Sequence, residues 1–235
     1  MKKFFFYKFF LLFYRKLFSI RERLIIKKTF KFFYYNYRFL KLKTYLFFSR
    51  DNVNLILGAA LTNQKGWFST NENWLDISKE DHWKRLFNSK KRVNRVLAEH
   101  VFEHLTIEEM RNSLKLIFDN MVNGGSLRIA VPDGNNPNPE YRKHCGIDGI
   151  GADASDHKQF LTYEFLSREI EKIGFQYDLK EGYLKNKALV SKNVNGNLGR
   201  VIRSRSNLVN LSKKGWDFYD SNTSLIIDCF KNTIN

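Results

Sequence analysis

An α/β domain with a mostly parallel sheet, preceded by a basic, aromatic helical extension, is the fold class this sequence predicts. Three observations predict it. After residue 50, short apolar runs of strand type alternate with amphipathic runs of helical period. Residues 1–50 carry 14 Lys+Arg against one acid, Glu22, and hold 13 of the 22 Phe and 6 of the 11 Tyr. Neither Gly nor Pro interrupts that stretch. The formal charge of +16 over 235 residues is therefore lopsided, since residues 51–235 hold 26 basic and 23 acidic side chains. The expected domains are 1–50, the extension, and 51–235, a near-neutral globular body.

The extension is apolar between Phe4 and Phe18, but Lys8, Arg15 and Lys16 break the run. No stretch approaches the roughly 20 apolar residues that a membrane-spanning helix needs. Arg15-Lys16-Leu17-Phe18 stands where a secretory leader would show small residues, so a leader is not expected. Interleaved rings and cations suit the plane of an anionic membrane surface, with residues 1–45 as the contact. A helix packed on a partner chain, or a single-stranded nucleic-acid contact, is also compatible with that composition. Nucleic acid is the weakest of the three, because the body is near neutral. Cys145 and Cys229 are far apart and fit a reducing compartment rather than a disulfide or thiolate-metal scaffold. The expected location is cytoplasmic, peripheral on the inner face of the membrane.

The elements follow in order. Val53–Leu57 reads as a buried strand running into Gly58-Ala59-Ala60. Gly66–Thr70 reads as a second short strand, and Trp74–Ile77 as a weaker third. His82–Phe87 is a helical turn and Val93–Ala98 a strand. Thr106–Met121 is a helix whose Thr106 and Glu109 make a capping box. Its apolar positions Ile107, Met110, Leu114, Ile117, Phe118 and Met121 form one face. Ser126–Val131 is the clearest strand, ended by Pro132-Asp133-Gly134. A loop, Asn135–Lys158, precedes a helix over Thr162–Ile173 that Gly174 closes. Phe175–Leu179 and Thr223–Phe230 complete the strands. Strands alternating with helices imply a parallel sheet covered on both faces, which binds ligands at the carboxyl ends of its strands.

One motif reads two ways. His100-Val101-Phe102-Glu103-His104 has the H-x-x-E-H spacing of a zinc hydrolase, in which two imidazoles share a helical face. Its flanks favour another reading, because Glu99 and His100 end a strand and His100 need not be helical. No metal site is expected on that basis, and a zinc hydrolase using His100 and His104 is the remote alternative.

The chain resembles the class I S-adenosylmethionine-dependent methyltransferases, and more narrowly a bacterial group found with surface-polysaccharide genes. The residues that carry the likeness begin with Leu57-Gly58-Ala59, Gly66-Trp67-Phe68-Ser69-Thr70 and Leu75-Asp76-Ile77. They continue with Leu97–Leu105, Gly124–Gly134, Gly151-Ala152-Asp153 and Asp156-His157-Lys158. Arg203-Ser204 and Ser224–Asp228 close the series, which spans roughly residues 51–231. The resemblance implies a Rossmann-like fold of seven strands with one antiparallel strand near the end. It implies S-adenosylmethionine as cofactor, held by Gly58, Ala59 and Ala60 at the first strand end. Asn71 or Glu72 would face the ribose, Asp76 the adenine, and Glu99 and His100 the methyl-donor end. His157, oriented by Asp156, would be a general base on a small acceptor such as a saccharide hydroxyl. The family turn usually reads Gly-x-Gly, and position 60 is Ala here. Only ten residues separate Leu57 from Phe68, so the first crossover helix is abbreviated or the second strand misplaced. A non-catalytic domain of the same fold, tethered to a membrane or partner by the extension, is the alternative function.

Overall fold

A computed structural model of the chain describes residues 19–59, 62–88, 90–151, 154–206 and 223–232. The chain divides into two compact units, Met1–Thr44 and Tyr45–Asn235. In the first, helix α1 begins, and it spans Ile20–Phe48. Its start is reciprocally capped: Ser19 N donates to Glu22 Oε2 and Glu22 N donates to Ser19 Oγ. The helix leaves Leu24, Ile25, Phe30, Phe33 and Tyr37 exposed. Arg38 lies with its guanidinium 4.3 Å from the centre of the Tyr34 ring. None of the described helices is long and apolar enough to cross a membrane.

The second unit is built on seven strands: β1 (Val53–Leu57), β2 (Phe68–Ser69), β3 (Val93–Glu99), β4 (Met121–Val131), β5 (Gln176–Tyr183), β6 (Leu189–Ser191) and β7 (Leu225–Phe230). Their order in the sheet is β2-β1-β3-β4-β7-β5-β6. The pairs β1–β2, β1–β3 and β3–β4 are parallel, and β7 runs antiparallel to both β4 and β5. This is the mostly parallel sheet that the alternation of elements predicts and the Rossmann-like fold that the resemblance implies, with two strands, β6 and β7, running antiparallel where one was expected. The strand count is met by different strands, however. Trp74–Ile77 forms turns rather than a strand. Trp74, Leu75 and Ile77 are buried all the same, so their apolar pattern reports a packed loop. The seventh strand is instead β6, which closes a hairpin with β5 through Leu184 and Ala188.

Helices α2 (Glu80–Phe87), α3 (Ile107–Asn120), α4 (Pro139–Cys145) and α5 (Tyr163–Ile173) join these strands. The capping box of α3 is formed, with Thr106 N donating to Glu109 Oε2 at 2.7 Å and Glu109 N to Thr106 Oγ1 at 3.2 Å. Gly174 closes α5 with φ of 102°, a conformation that glycine takes at little cost. α4 lies inside the stretch read as one long loop; Asn138 caps it and Pro139 occupies its first turn. β4 starts earlier than its apolar run suggests, because Met121 pairs with Val93 of β3 and Gly124 N donates to Lys231 O just past the end of β7.

Alternation along the strands splits their side chains into two faces. Ile56, Leu97, Ala130 and Ile226 share one of them and form a buried cluster with Ala59 and Val201. Val201 belongs to a strap, residues 192–206, irregular apart from a 3₁₀ turn at Gly196–Leu198, that crosses this face of the sheet. Arg128 anchors the strap. It is fully buried, its Nε and Nη2 donate to Asp228 Oδ1 and Oδ2 at 2.6 and 2.7 Å, and its Nη1 donates to the carbonyls of Asn195 and Gly199. Helices α2, α3 and α5 stand side by side, α3 touching both neighbours.

Glu169 ties α3 to α5. Its carboxylate accepts from Arg111 Nε at 2.7 Å and Lys172 Nζ at 2.6 Å, and these hydrogen bonds hold its pKa down at about 2, against an ordinary 4.5. A depressed carboxylate pKa contributes stability above the unfolded value and loses it as pH falls through the folded one. Glu169→Gln should therefore cost about 1 kcal/mol at neutral pH, both partners being half exposed. Urea unfolding should show that gap closing between pH 4.5 and about 2; a gap unchanged over this range would contradict the assignment.

Candidate functional site

The parallel strands place their carboxyl ends together, and a cleft of about 320 Å³ opens there. Its walls come from Ile56–Ala59 at the end of β1, Thr62, Glu99 and His100 at the end of β3, and Ile202 and Arg203 of the strap. Gly58 has φ of +53°, and a Cβ at this position would lie 2.9 Å from Val101 Cγ2. Only glycine takes that backbone without crowding the turn after β3.

Glu99 is the polar centre of the cleft wall. Its Oε1 accepts from Ile202 N at 2.8 Å and Arg203 N at 2.7 Å, so the carboxylate holds the strap against the end of β3. Burial pushes the Glu99 carboxyl above the usual carboxylate range, against the opposing pull of the Arg203 N–H. His100 follows with φ of +55°, a left-handed conformation uncommon outside glycine. Two contacts keep it there: its N–H donates to Ala130 O at 2.8 Å, and its Nδ1 lies 2.9 Å from Glu103 Oε1. Arg203 Nη1 is 3.2 Å from the same ring.

The H-x-x-E-H stretch does not form the helical face that its spacing suggests. His100 is left-handed and Phe102–His104 is a 3₁₀ turn, so the two imidazoles do not stack four residues apart. Each has its own partner: Glu103 for His100, and for His104 the Asp156 carboxylate, 3.0 Å from its Nδ1.

The sequence-predicted site residues divide into those at the cleft and those away from it. Gly58, Ala59, Glu99 and His100 line it together. Ala60 lies outside the described residues. Asn71 turns its side-chain oxygen to Asn73, and the neighbouring Glu72 is exposed. Asp76 accepts from Ser78 N and Oγ and pairs with Lys79, which organises the turn before α2; these partners lower its pKa against the burial that raises it. His157 and Asp156 do not form a dyad. The His157 ring is buried with Nδ1 2.9 Å from the Cys145 carbonyl, while Asp156 pairs with His104. Asp133, just past β4, is fully buried and joins strand ends, its Oδ1 accepting from Asn135 N and its Oδ2 from Tyr183 N. Burial raises its pKa to about 6, although those N–H groups oppose the shift.

No family model matches this sequence, and no curated protein sequence matches it. Solved structures similar in chain path include a SAM-dependent methyltransferase from Archaeoglobus fulgidus, 15% identical, covering 94% of this chain and 97% of its own, with a TM-score of 0.44. A SAM-dependent methyltransferase from Thermotoga maritima is 13% identical, covers 90% of this chain and 97% of its own, and has a TM-score of 0.44. Human N-acetylserotonin methyltransferase, solved in complex with SAM, is 8% identical, covers 77% of this chain and 41% of its own, with a TM-score of 0.40. At such identities no residue role passes from those proteins to this one.

Sequence reasoning did not single out Ile202 and Arg203 as site residues, although Arg203-Ser204 belongs to the motifs of the family resemblance. They come from a stretch without regular structure, and only the half-buried Glu99 carboxylate reveals why they sit at the cleft. Glu99→Ala should free the strap there: the amides of Ile202 and Arg203 each lose an acceptor and should exchange with solvent about tenfold faster. Glu99→Gln keeps one acceptor oxygen and should retain most of the protection. Equal protection in wild type and Glu99→Ala would show that the strap is held by other means.

Proposed function

We propose that the 51–235 domain is an S-adenosylmethionine-dependent methyltransferase acting on a small acceptor, such as a saccharide hydroxyl in surface-polysaccharide synthesis. The observation that carries this reading is the cleft at the carboxyl ends of β1 and β3, where a left-handed Gly58 and the half-buried Glu99 meet. Gly58 and Ala59 would let backbone approach the methionine part of the cofactor, with no side chain in the way at Gly58. Glu99, His100 and Arg203 would border the end that carries the methyl group. Glu72, exposed past β2, remains the residue proposed for the ribose.

When bound, the sulfonium cofactor supplies an already activated methyl group for in-line displacement. What the chain contributes is position. Glu99 keeps the strap as one wall, Gly58 keeps the opposite turn thin, and the Glu103 contact keeps the His100 ring directed. Calorimetry with S-adenosylmethionine and the full chain should show one saturable site, and Gly58→Val, which adds a crowded and strained side chain there, should abolish it. No heat at millimolar ligand would leave the domain as a non-catalytic member of the fold.

For the extension, we propose an anionic membrane surface as partner. The rings that α1 leaves exposed, together with the 14 basic residues of positions 1–50, support this reading. A membrane partner of this kind agrees with the location proposed for the domain, peripheral on the inner face of the membrane. Full-length protein should sediment with phosphatidylserine-containing vesicles and lose this on deletion of residues 1–45. Sedimentation that survives the deletion, or that is unchanged by high salt, would contradict it.

A further inference from the structure

We propose that Glu103, His104 and His157 form a binding site for a divalent transition-metal ion of the zinc type, a role that neither the cleft nor methyl transfer requires. One donor atom from each lies within 4.8 Å of the others. They come from two segments that the backbone fastens together: Lys158 N and Gln159 N both donate to Glu103 O, at 2.8 and 3.1 Å.

Three features point to an ion rather than to a self-contained polar cluster. First, Glu103 is only 1% exposed, and its Oε2 has no hydrogen-bond partner among the described residues. A buried carboxylate oxygen without a donor is costly, and a cation removes that cost. Second, each imidazole has an oxygen beside Nδ1: His157 is hydrogen-bonded to the Cys145 carbonyl at 2.9 Å, and His104 lies 3.0 Å from Asp156 Oδ1 as an ion-pair contact without hydrogen-bond geometry. The carbonyl acceptor puts the His157 ring proton on Nδ1 and leaves its lone pair on Nε2, which is how metal-ligating histidines are oriented, and the carboxylate beside His104 favours the same tautomer. Third, the two rings meet edge to face with centroids 4.8 Å apart, so both lie beside the same carboxylate.

Two imidazole nitrogens and one carboxylate oxygen suit Zn²⁺ and its neighbours, whereas Ca²⁺ and Mg²⁺ favour sets of oxygens. His104 is 29% exposed and Asp156 73%, which gives an ion a path from solvent and leaves room for water as a fourth ligand. The site is not the one that the H-x-x-E-H spacing names, because His157 takes the place of His100. Bound there, an ion would pin the Asp156–Lys158 loop to the turn that follows the cleft.

The test uses the full, untagged chain stripped with a chelator, with Zn²⁺ followed by calorimetry and Co²⁺ by visible absorption. One equivalent should bind, with cobalt ligand-field bands and no thiolate charge-transfer band. His104→Gln and His157→Gln should each weaken Zn²⁺ binding about 100-fold or more, and Asp156→Asn about 10-fold, as loss of an orienting partner does. His100→Gln should keep one-equivalent binding. The proposal is overturned by absence of saturable binding, by binding that survives the double histidine variant, or by binding that needs His100 and not His157. Should the ring variants fail to fold, Asp156→Asn at its exposed position decides, and an unchanged Zn²⁺ affinity there overturns the proposal. None of these readouts depends on the methyltransferase reading.

Discussion

The buried pair of Arg128 and Asp228 is the constraint on which the rest of the sheet face depends. The two residues sit opposite each other in register on β4 and β7, the junction at which the sheet turns from parallel to antiparallel. A desolvated ion pair is stable only when its remaining hydrogen-bonding groups are satisfied. Here the fork of Arg128 meets the carboxylate with two nitrogens and spends the third on the carbonyls of Asn195 and Gly199. The requirement to satisfy one buried guanidinium thereby fixes where an irregular segment crosses the sheet.

From that anchor the strap has little freedom. Gln64 pairs with the backbone of Arg200 in both directions, Val201 enters the apolar cluster, and Glu99 takes the next two N–H groups. Ser204 and Arg205 then turn to the buried Glu181. A segment whose only regular piece is a 3₁₀ turn at Gly196–Leu198 thus becomes a defined wall of the cleft, because side chains on three strands, with Gln64 of a loop, supply its hydrogen-bond partners. Glu99 is central to the site in this sense: its carboxylate builds the wall of the pocket as well as facing it.

Much of the fold was legible in the sequence, for local reasons. β1, β3, α3 and α5 announce themselves by apolar period, by the Thr106–Glu109 box and by the Gly174 stop, all of which act within a few residues. The misreadings have equally physical causes. Leu75 and Ile77 are apolar because a loop buries them, and period alone does not separate that from a short strand. β6 is a three-residue edge strand with little burial, so its sequence carries little pattern. At the site, Gly58 and Glu99 could be placed from strand ends, and the first crossover is short, as its ten-residue spacing demanded. Asp156 and His157 are adjacent in sequence, which suggested a dyad. The chain instead directs them to different partners, His104 and the Cys145 carbonyl, neither of which adjacency reveals.

The central claim is that the cleft between Gly58 and the Glu99-held strap receives the methyl-donor cofactor. A crystal structure of the full chain grown with S-adenosylhomocysteine tests it most directly. The account predicts the thioether sulfur beside Glu99 and His100, with the amino-acid part against the Gly58 turn. Ligand bound elsewhere on the domain, or a cleft without ligand at a saturating concentration, would contradict it.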